Sequence, residues 1–476
     1  MCRMARARLL IVLSRDRLPS IPNVRPRVTP ETSKERFHRM LLLGVQRLRG
    51  RPVGAYIRKL QEWESLEPKA FQRLRADRLA DTLAYAKRSV PLYRSGPWSE
   101  AIGGGDAEAL QSWPVLERAM IQASGSELLS QSNTRSHYFR RTAGSTGAAL
   151  GIAMDTDAAA WAWATDYRGL LWHGIPVGAR SIYAYRQRES ALAEWMRNRE
   201  TLLTSDLSPP RLTEAVKYLQ VAKPTYVSGY VSAVCEMAQH AMLFASSRSR
   251  PLVPFVKVFG EMLHKFQRYQ IEQGLGSRVI ETYGCSETGT VGYECPAGSL
   301  HVFAEHVEVE ILRDGKPVEP GEVGDIVLTC TTNRVMPLIR YRVGDRGRLS
   351  PDPCRCRRPH PVIAGIEGRV GDVLLTAAGG RVHGTALGDL LKGVTAKSPT
   401  AIGRVLFQQE DQRTWTVLVQ PGPDYGDGIA TLLVDGVKAI FGEECRVTVK
   451  PVLEMPREPS GKFRFYRAAR PPVSTT

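Results

Sequence analysis

The 476-residue chain is too long for one ordinary core, so a large domain with a smaller companion and a cleft between them is the expected plan. With 43% hydrophobic, 24% charged and 8% aromatic residues, its composition is that of a globular protein and not of a disordered or fibrous one. No apolar run approaches the roughly 18–20 residues that span a bilayer. The Arg-rich start has only a short apolar stretch and no small-residue cleavage site, so it does not read as a signal peptide and a cytoplasmic protein is expected.

The formal net charge is +17, and residues 1–60 hold 15 Lys/Arg against 3 Asp/Glu. Residues 1–35 interleave Pro19, Pro22, Pro26 and Pro30 with arginines, which disfavours regular structure. This basic segment reads as a solvated, poorly ordered arm, with the folded body expected from Arg36. A tether to an anionic membrane or to nucleic acid is the second reading, and the scarcity of aromatic residues argues against nucleic acid.

Residues 36–89 carry a helical pattern, with Leu60, Trp63, Leu66, Leu74, Leu79, Leu83 and Ala86 recurring at mostly three- to five-residue steps. A strand, loop and helix follow over 138–163. Leu212, Ala215, Val216 and Leu219 predict a helix stopped by Lys223 and Pro224, and 225–227 a short buried strand. Apolar strands are expected at 253–259 and 278–282, with a helix over 264–273 between them. That is α/β organisation with crossover helices.

Val307, Val309 and Ile311 alternate with charged residues, Asp314 and Gly315 supply a turn, and 325–329 returns as a strand. Beyond Gly371 the chain predicts a hairpin of 405–407 and 415–419, a helix over 429–440 and a strand over 447–452, a small α+β unit. The expected division is therefore a basic arm at 1–35, a large domain at 36–370 and a small C-terminal domain at 371–476.

The loop Arg141, Thr142, Ala143, Gly144, Ser145, Thr146, Gly147 joins glycines, which let backbone N–H groups approach an anion, to hydroxyls that donate to phosphate oxygens. Alone it would read as a turn. Four further motifs follow in order. They are Tyr283, Gly284, Cys285, Ser286, Glu287; then residues 337–345, including Arg340, Tyr341, Arg342, Gly344 and Asp345; then Gly368, Arg369; and last Pro459, Ser460, Gly461, Lys462.

In order and spacing these motifs resemble the adenylate-forming superfamily of acyl-CoA synthetases, most closely its phenylacetate-CoA ligase and CapK-like branch. The resemblance covers roughly 36–467 and extends to residues 89–94, 113–116 and 227–230. It implies a large, multi-subdomain N-terminal adenylation domain of α/β class with a small, mobile α+β C-terminal domain.

By that resemblance Thr142, Gly144, Ser145, Thr146 and Gly147 would bind ATP phosphates, Glu287 would hold Mg2+, and Asp345 would accept both ribose hydroxyls. Gly260 and Glu261 would lie beside the adenine, with Tyr283 as its stacking face and Gly284 and Ser286 close by. Arg369 would meet nucleotide oxygens near the hinge, and Lys462 would neutralise charge as the mixed anhydride forms. The plainer alternatives are a surface glutamate, a turn-closing aspartate, an interdomain ion pair and a solvated lysine. Ala148 in place of a common lysine and Gly371 in place of the usual hinge aspartate or lysine depart from the pattern.

Among eight cysteines one subset is organised: Cys295, His301, Cys354 and Cys356 suit tetrahedral Zn2+, with free thiols as the alternative. Some members of the branch look similar here and bind a structural metal. The leading functional reading is ATP-dependent activation of an aryl or acyl carboxylic acid, with coenzyme A as acceptor. An amine or hydroxyl acceptor in natural-product or capsular polysaccharide assembly is the second reading, and a degenerate nucleotide-binding protein the third. Tyr226, Ser228, Gly229 and Tyr230 are expected near the acid, and tyrosines there favour a flat aromatic one. The acid's identity and the oligomeric state are not legible.

Overall fold

The computed structural model describes residues 30–133, 136–141, 150–244, 251–369, 373–456 and 465–468. The expected phosphate loop with Thr142, Gly144, Ser145, Thr146 and Gly147, the hinge position Gly371, Lys462 and residues 1–29 lie outside the described residues. Arg369 is described only as backbone, at the end of a strand.

The first helix runs Ser33–Leu48, three residues earlier than the expected start at Arg36. The cause is a capping box: Thr32 Oγ1 accepts from Glu35 N at 3.2 Å while Glu35 Oε2 accepts from Thr32 N at 2.9 Å. Helices Val53–Glu64 and Pro68–Ser89 follow, the latter burying Phe71, Leu79, Leu83 and Ala86. Trp63 stacks on Trp161 of the helix Thr156–Trp172, which ties this helical layer to the body.

Among the described residues one sheet has twelve strands. Its parallel half is ordered Arg199–Leu203, Ser181–Tyr185, Tyr226–Tyr230, Phe255–Phe259, Arg278–Cys285. Ile182, Val227, Val256 and Val279 of these strands pack with Leu212, Ala238 and Ile271 from helices Pro209–Ala222, Val231–Phe244 and Lys265–Leu275. Helix cover explains why the strands read as continuous apolar runs.

From Arg278–Cys285 the sheet continues antiparallel through Gly289–Glu294, Leu300–Val302, Val362–Arg369, Tyr341–Leu349, Gly324–Cys330 and Val307–Arg313 to Lys316–Pro317. Val291, Val302, Val307, Ile326, Leu328 and Ile363 fill one cluster, with Tyr283 and Val343 packed on it. The antiparallel half thus curls over its own core.

A separate sheet orders Arg446–Pro451, Thr414–Pro421, Ile402–Gln409 and Tyr466–Arg467. Helices Thr385–Lys397 and Asp427–Phe441 complete this C-terminal unit, whose core holds Leu387, Phe407, Trp415, Leu433, Val437 and Phe441. It sits against the large body at helices Val231–Phe244 and Lys265–Leu275. There Arg404 pairs with Glu236, Gln239 Nε2 donates to Ile402 O at 3.2 Å, and the His264 ring meets Phe465 edge-on at 4.5 Å.

Candidate active site

Of the motifs that carry the resemblance, those at 283–287 and 337–345 meet in space. Arg340 adopts φ 51°, a left-handed turn costly for a side-chain residue, and two ion-pair contacts to Glu310 at 2.9 and 3.0 Å hold it there. Arg340 Nη1 also donates to Trp113 O at 2.6 Å, and Leu116 N donates to Arg340 O at 2.9 Å. Tyr93 Oη donates to Pro337 O at 2.8 Å and accepts from Ile339 N at 3.3 Å. Segments 89–94 and 113–116 therefore buttress the turn that launches the strand Tyr341–Leu349.

That strand sets two carboxylates. Tyr341 Oη donates to Glu287 Oε1 at 3.1 Å, and Arg118 Nη1 lies 3.5 Å from the same oxygen. Burial, and after it the neighbouring Glu287 carboxylate, pushes the Tyr341 phenol up, so it keeps its proton and donates it. Four residues further along, Asp345 Oδ2 accepts from Tyr283 Oη at 2.9 Å. Glu287 and Asp345 thus belong to one region, Glu287 tied to Asp345's own strand and Asp345 to the strand that leads into Glu287.

Tyr283 lies near the C-terminal end of the last parallel strand, where open α/β sheets take ligands. A Cβ on Gly284 would come within 2.4 Å of Gly289 O, so the close pairing with Gly289–Glu294 demands glycine. Ser286 continues into the turn that carries Glu287, and burial pushes the Cys285 thiol up, leaving it inert. Gly260 takes φ 74° after Phe255–Phe259. Glu261 caps the helix Val231–Phe244: its carboxylate accepts from Ser232 N at 2.7 Å and from Ser232 Oγ at 3.0 Å. In this structure that side chain anchors the segment beside the expected adenine position.

An aromatic group, of which the sequence reading expected only Tyr230, lines the same strand ends. Tyr183 stacks on Tyr185 at 4.8 Å and on Phe259 at 5.8 Å, and Tyr230 meets Tyr185 and Phe259 at 5.3 and 5.4 Å. The alternation of Tyr183 and Tyr185 was the available signal. A Cβ on Gly229 would lie 2.8 Å from Ala184 O, which keeps these strands close. Tyr226 stands at the opposite end of its strand, against the core of Phe255 and Tyr293.

The sulfur cluster assembles as a four-ligand set. The ligand atoms of Cys295, His301, Cys354 and Cys356 all lie within 4.8 Å of one another, with Cys295 and Cys354 Sγ 3.7 Å apart and Cys356 Sγ 3.1 Å from His301 Nε2. His301 Nδ1 faces His360 O at 3.1 Å, a contact that assigns the proton to Nδ1 and turns the Nε2 lone pair toward the thiols. Burial lowers His301 to about 4, so the ring is neutral. The donor set and spacing fit Zn2+.

Behind it lies a buried charge group. Arg168 Nη2 is 2.5 Å from Glu305 Oε1, and His360 Nε2 is 3.1 Å from Glu305 Oε2, all three side chains being excluded from solvent. Burial pushes the Glu305 carboxyl up, but Arg168 and His360 outweigh it and hold the group well below the usual carboxylate range.

The fold is similar to that of CoA ligases of known structure. A 2-hydroxyisobutyryl-CoA ligase in its postadenylation state, in complex with an acyl-AMP, superposes with a TM-score of 0.70 over 86% of this chain and 92% of the other, at 17% identity. In sequence the chain is similar to phenylacetate-coenzyme A ligase of Thermus thermophilus, 24% identical over 56% of this chain and 62% of the relative. It is also similar to Protein CapK of Staphylococcus aureus, 23% identical over 63% and 65%, and to indoleacetate–lysine synthetase of Pseudomonas savastanoi, 34% identical over 19% and 22%. The chain thus spans less than two thirds of each relative's length, and no protein-family model matches it. Its sequence relatives are those of the branch its motifs resemble.

Proposed function

We propose that the chain is an adenylate-forming ligase that activates an aromatic carboxylic acid with ATP and transfers the acyl group to coenzyme A. The observation that carries this reading is the convergence of Glu287, Tyr341, Tyr283 and Asp345 where the parallel and antiparallel halves of the sheet meet. In the first step an oxygen of the substrate carboxylate bonds to the α-phosphorus, and the bond to pyrophosphate breaks. In the second the thiol sulfur bonds to the acyl carbon, its proton is lost, and AMP leaves.

Asp345 accepts the ribose hydroxyls and Tyr283 offers a ring face to the base. Glu287 would hold Mg2+, which supplies charge neutralisation on the phosphates, and Tyr341 orients that carboxylate. Thr142, Ser145 and Thr146 would donate to the phosphates and Lys462 to the reacting carboxylate, with Arg369 meeting nucleotide oxygens. Tyr183, Tyr185, Tyr230 and Phe259 form the wall on which a flat acid stacks. Cys295, His301, Cys354 and Cys356 would hold a structural Zn2+, stapling the 295–301 segment to the 354–356 loop.

Transfer to an amine is the second reading, supported by the stretch shared with indoleacetate–lysine synthetase. Acid-dependent ATP–pyrophosphate exchange tests the first half-reaction, and AMP release with and without coenzyme A separates the two acceptors. Exchange that stays at background with every acid would leave only nucleotide binding.

A further inference from the structure

Beneath the aromatic wall the same face of the parallel sheet turns polar. Tyr185 pairs in register with Leu203, and Tyr230 with Phe259; two residues earlier on each strand, Thr201, Tyr183, Ser228 and Lys257 pair in one row. Residues two apart share a face, so this second row lies roughly 7 Å below the first. Along its own strand Lys257 shares that face with Phe255 and Phe259, and a lysine there is not explained by the core.

Lys257 is buried and held by Asp166 of the helix Thr156–Trp172, with Nζ 2.6 and 2.8 Å from the two carboxylate oxygens. These contacts use at most two of its three N–H bonds, and the third has no acceptor among the described residues. The Asp166 side chain keeps 33% of its surface accessible, so a further group can reach the pair. An apolar pair of the same size often serves stability as well, so stability gives no reason for ions here.

Partnerless hydroxyls stand on the same row and beside the pair. Thr201 Oγ1 and Tyr293 Oη are both buried without a hydrogen-bond partner among the described residues, and Lys257 Nζ lies 6.0 Å from the centre of the Tyr293 ring. Burial first, with the Asp166 carboxylate among the lesser causes, pushes up the phenols of Tyr183 and Tyr293, so both keep their protons. Tyr183 joins this polar floor to the wall, because its ring stacks on Tyr185 and Phe259.

We propose that the acid activated here is a hydroxyaryl acid, its hydroxyl on the far side of the ring from the carboxylate and seated on Lys257 and Asp166; this rests on the adenylation reading above. The carboxylate must face the nucleotide at the strand ends, so the far edge of a ring stacked on the wall points down the strands toward Lys257. The ion pair is neutral and favours neither a second carboxylate nor an ammonium. A hydroxyl suits it, accepting from the spare Lys257 N–H and donating to an Asp166 oxygen. An unsubstituted ring would cover that donor and leave it unpaired.

Acid-dependent pyrophosphate exchange with 4-hydroxyphenylacetate and 4-hydroxybenzoate, each beside its 4-methyl and unsubstituted counterparts, tests this. In the wild type kcat/KM for the hydroxyl acid of the better-used series should exceed both counterparts by about tenfold or more. In Lys257→Met/Asp166→Leu, which exchanges the pair for apolar side chains, that preference should vanish or pass to the methyl acid. The wild-type comparison decides by itself if circular dichroism shows the variant unfolded. The proposal is overturned by a wild type that uses the methyl or unsubstituted acid as well as the hydroxyl acid, or by a folded double variant that keeps the preference. Either result leaves adenylation standing, whereas exchange with no acid at all removes the adenylation reading and this inference together.

Discussion

Tyr283 Oη lies 2.9 Å from Asp345 Oδ2, although three strands separate theirs in hydrogen-bonded order. The contact closes the curled half of the sheet over the end of the parallel half, and it fixes the carboxylate next to the ring proposed to stack on the base. Asp345→Asn keeps the shape and loses the charge-assisted acceptor. It should lower kcat/KM for ATP by about tenfold to a hundredfold, with acid KM little changed. Steady-state kinetics in each substrate checks this.

Tyr341 acts on Glu287 through one hydrogen bond of 3.1 Å. Tyr341→Phe removes it while keeping the ring, and should raise the Mg2+ concentration for half-maximal exchange several-fold, on the order of 1 kcal/mol. A titration of exchange rate against Mg2+ reads the effect, and the fold should be unaffected.

The elements legible in the sequence were those whose signals are local. The apolar run at 255–259 needs only burial to read as a strand, and the helix Lys265–Leu275 ends at Gly276 in the left-handed conformation, a local stop signal. The strand Tyr341–Leu349 is different: three arginines and two glycines give it no apolar alternation, and partners on both edges decide its conformation. Of the candidate site, the carboxylates were legible because they sit in motifs. The aromatic wall of Tyr183, Tyr185 and Phe259 was not, because two strands far apart in the chain, Ser181–Tyr185 and Phe255–Phe259, contribute to it. Glu261, expected beside the adenine, also caps the helix Val231–Phe244, a role the sequence did not signal.

The thiol and imidazole cluster should carry one Zn2+ per chain by elemental analysis. Cys354→Ser should lose most of the metal and several kcal/mol of stability, because metal binding is coupled to the folded arrangement of the two loops. A chelator should lower the thermal midpoint of the wild type and leave that of the variant nearly unchanged.

Arg168, Glu305 and His360 form a buried charge group against the backbone that orients His301. Glu305→Gln leaves Arg168 with the more exposed Glu64, 3.6 Å away, as its remaining carboxylate and should cost about 3–5 kcal/mol in urea unfolding. The folded-state carboxyl is held below its unfolded value, so its contribution is present above the ordinary carboxylate range, near about pH 4.3, and is lost as pH falls below that. The gap between wild type and variant should therefore narrow on acidification.

The proposed chemistry is tested most directly by ATP–pyrophosphate exchange over a panel of aryl, fatty and amino acids, with Glu287→Gln and Lys462→Ala measured beside the wild type. Exchange stimulated by an aryl acid, and lowered by about a hundredfold or more in both variants, is the expected result. Exchange that no acid stimulates, or that survives both substitutions at the wild-type rate, would contradict the adenylation reading.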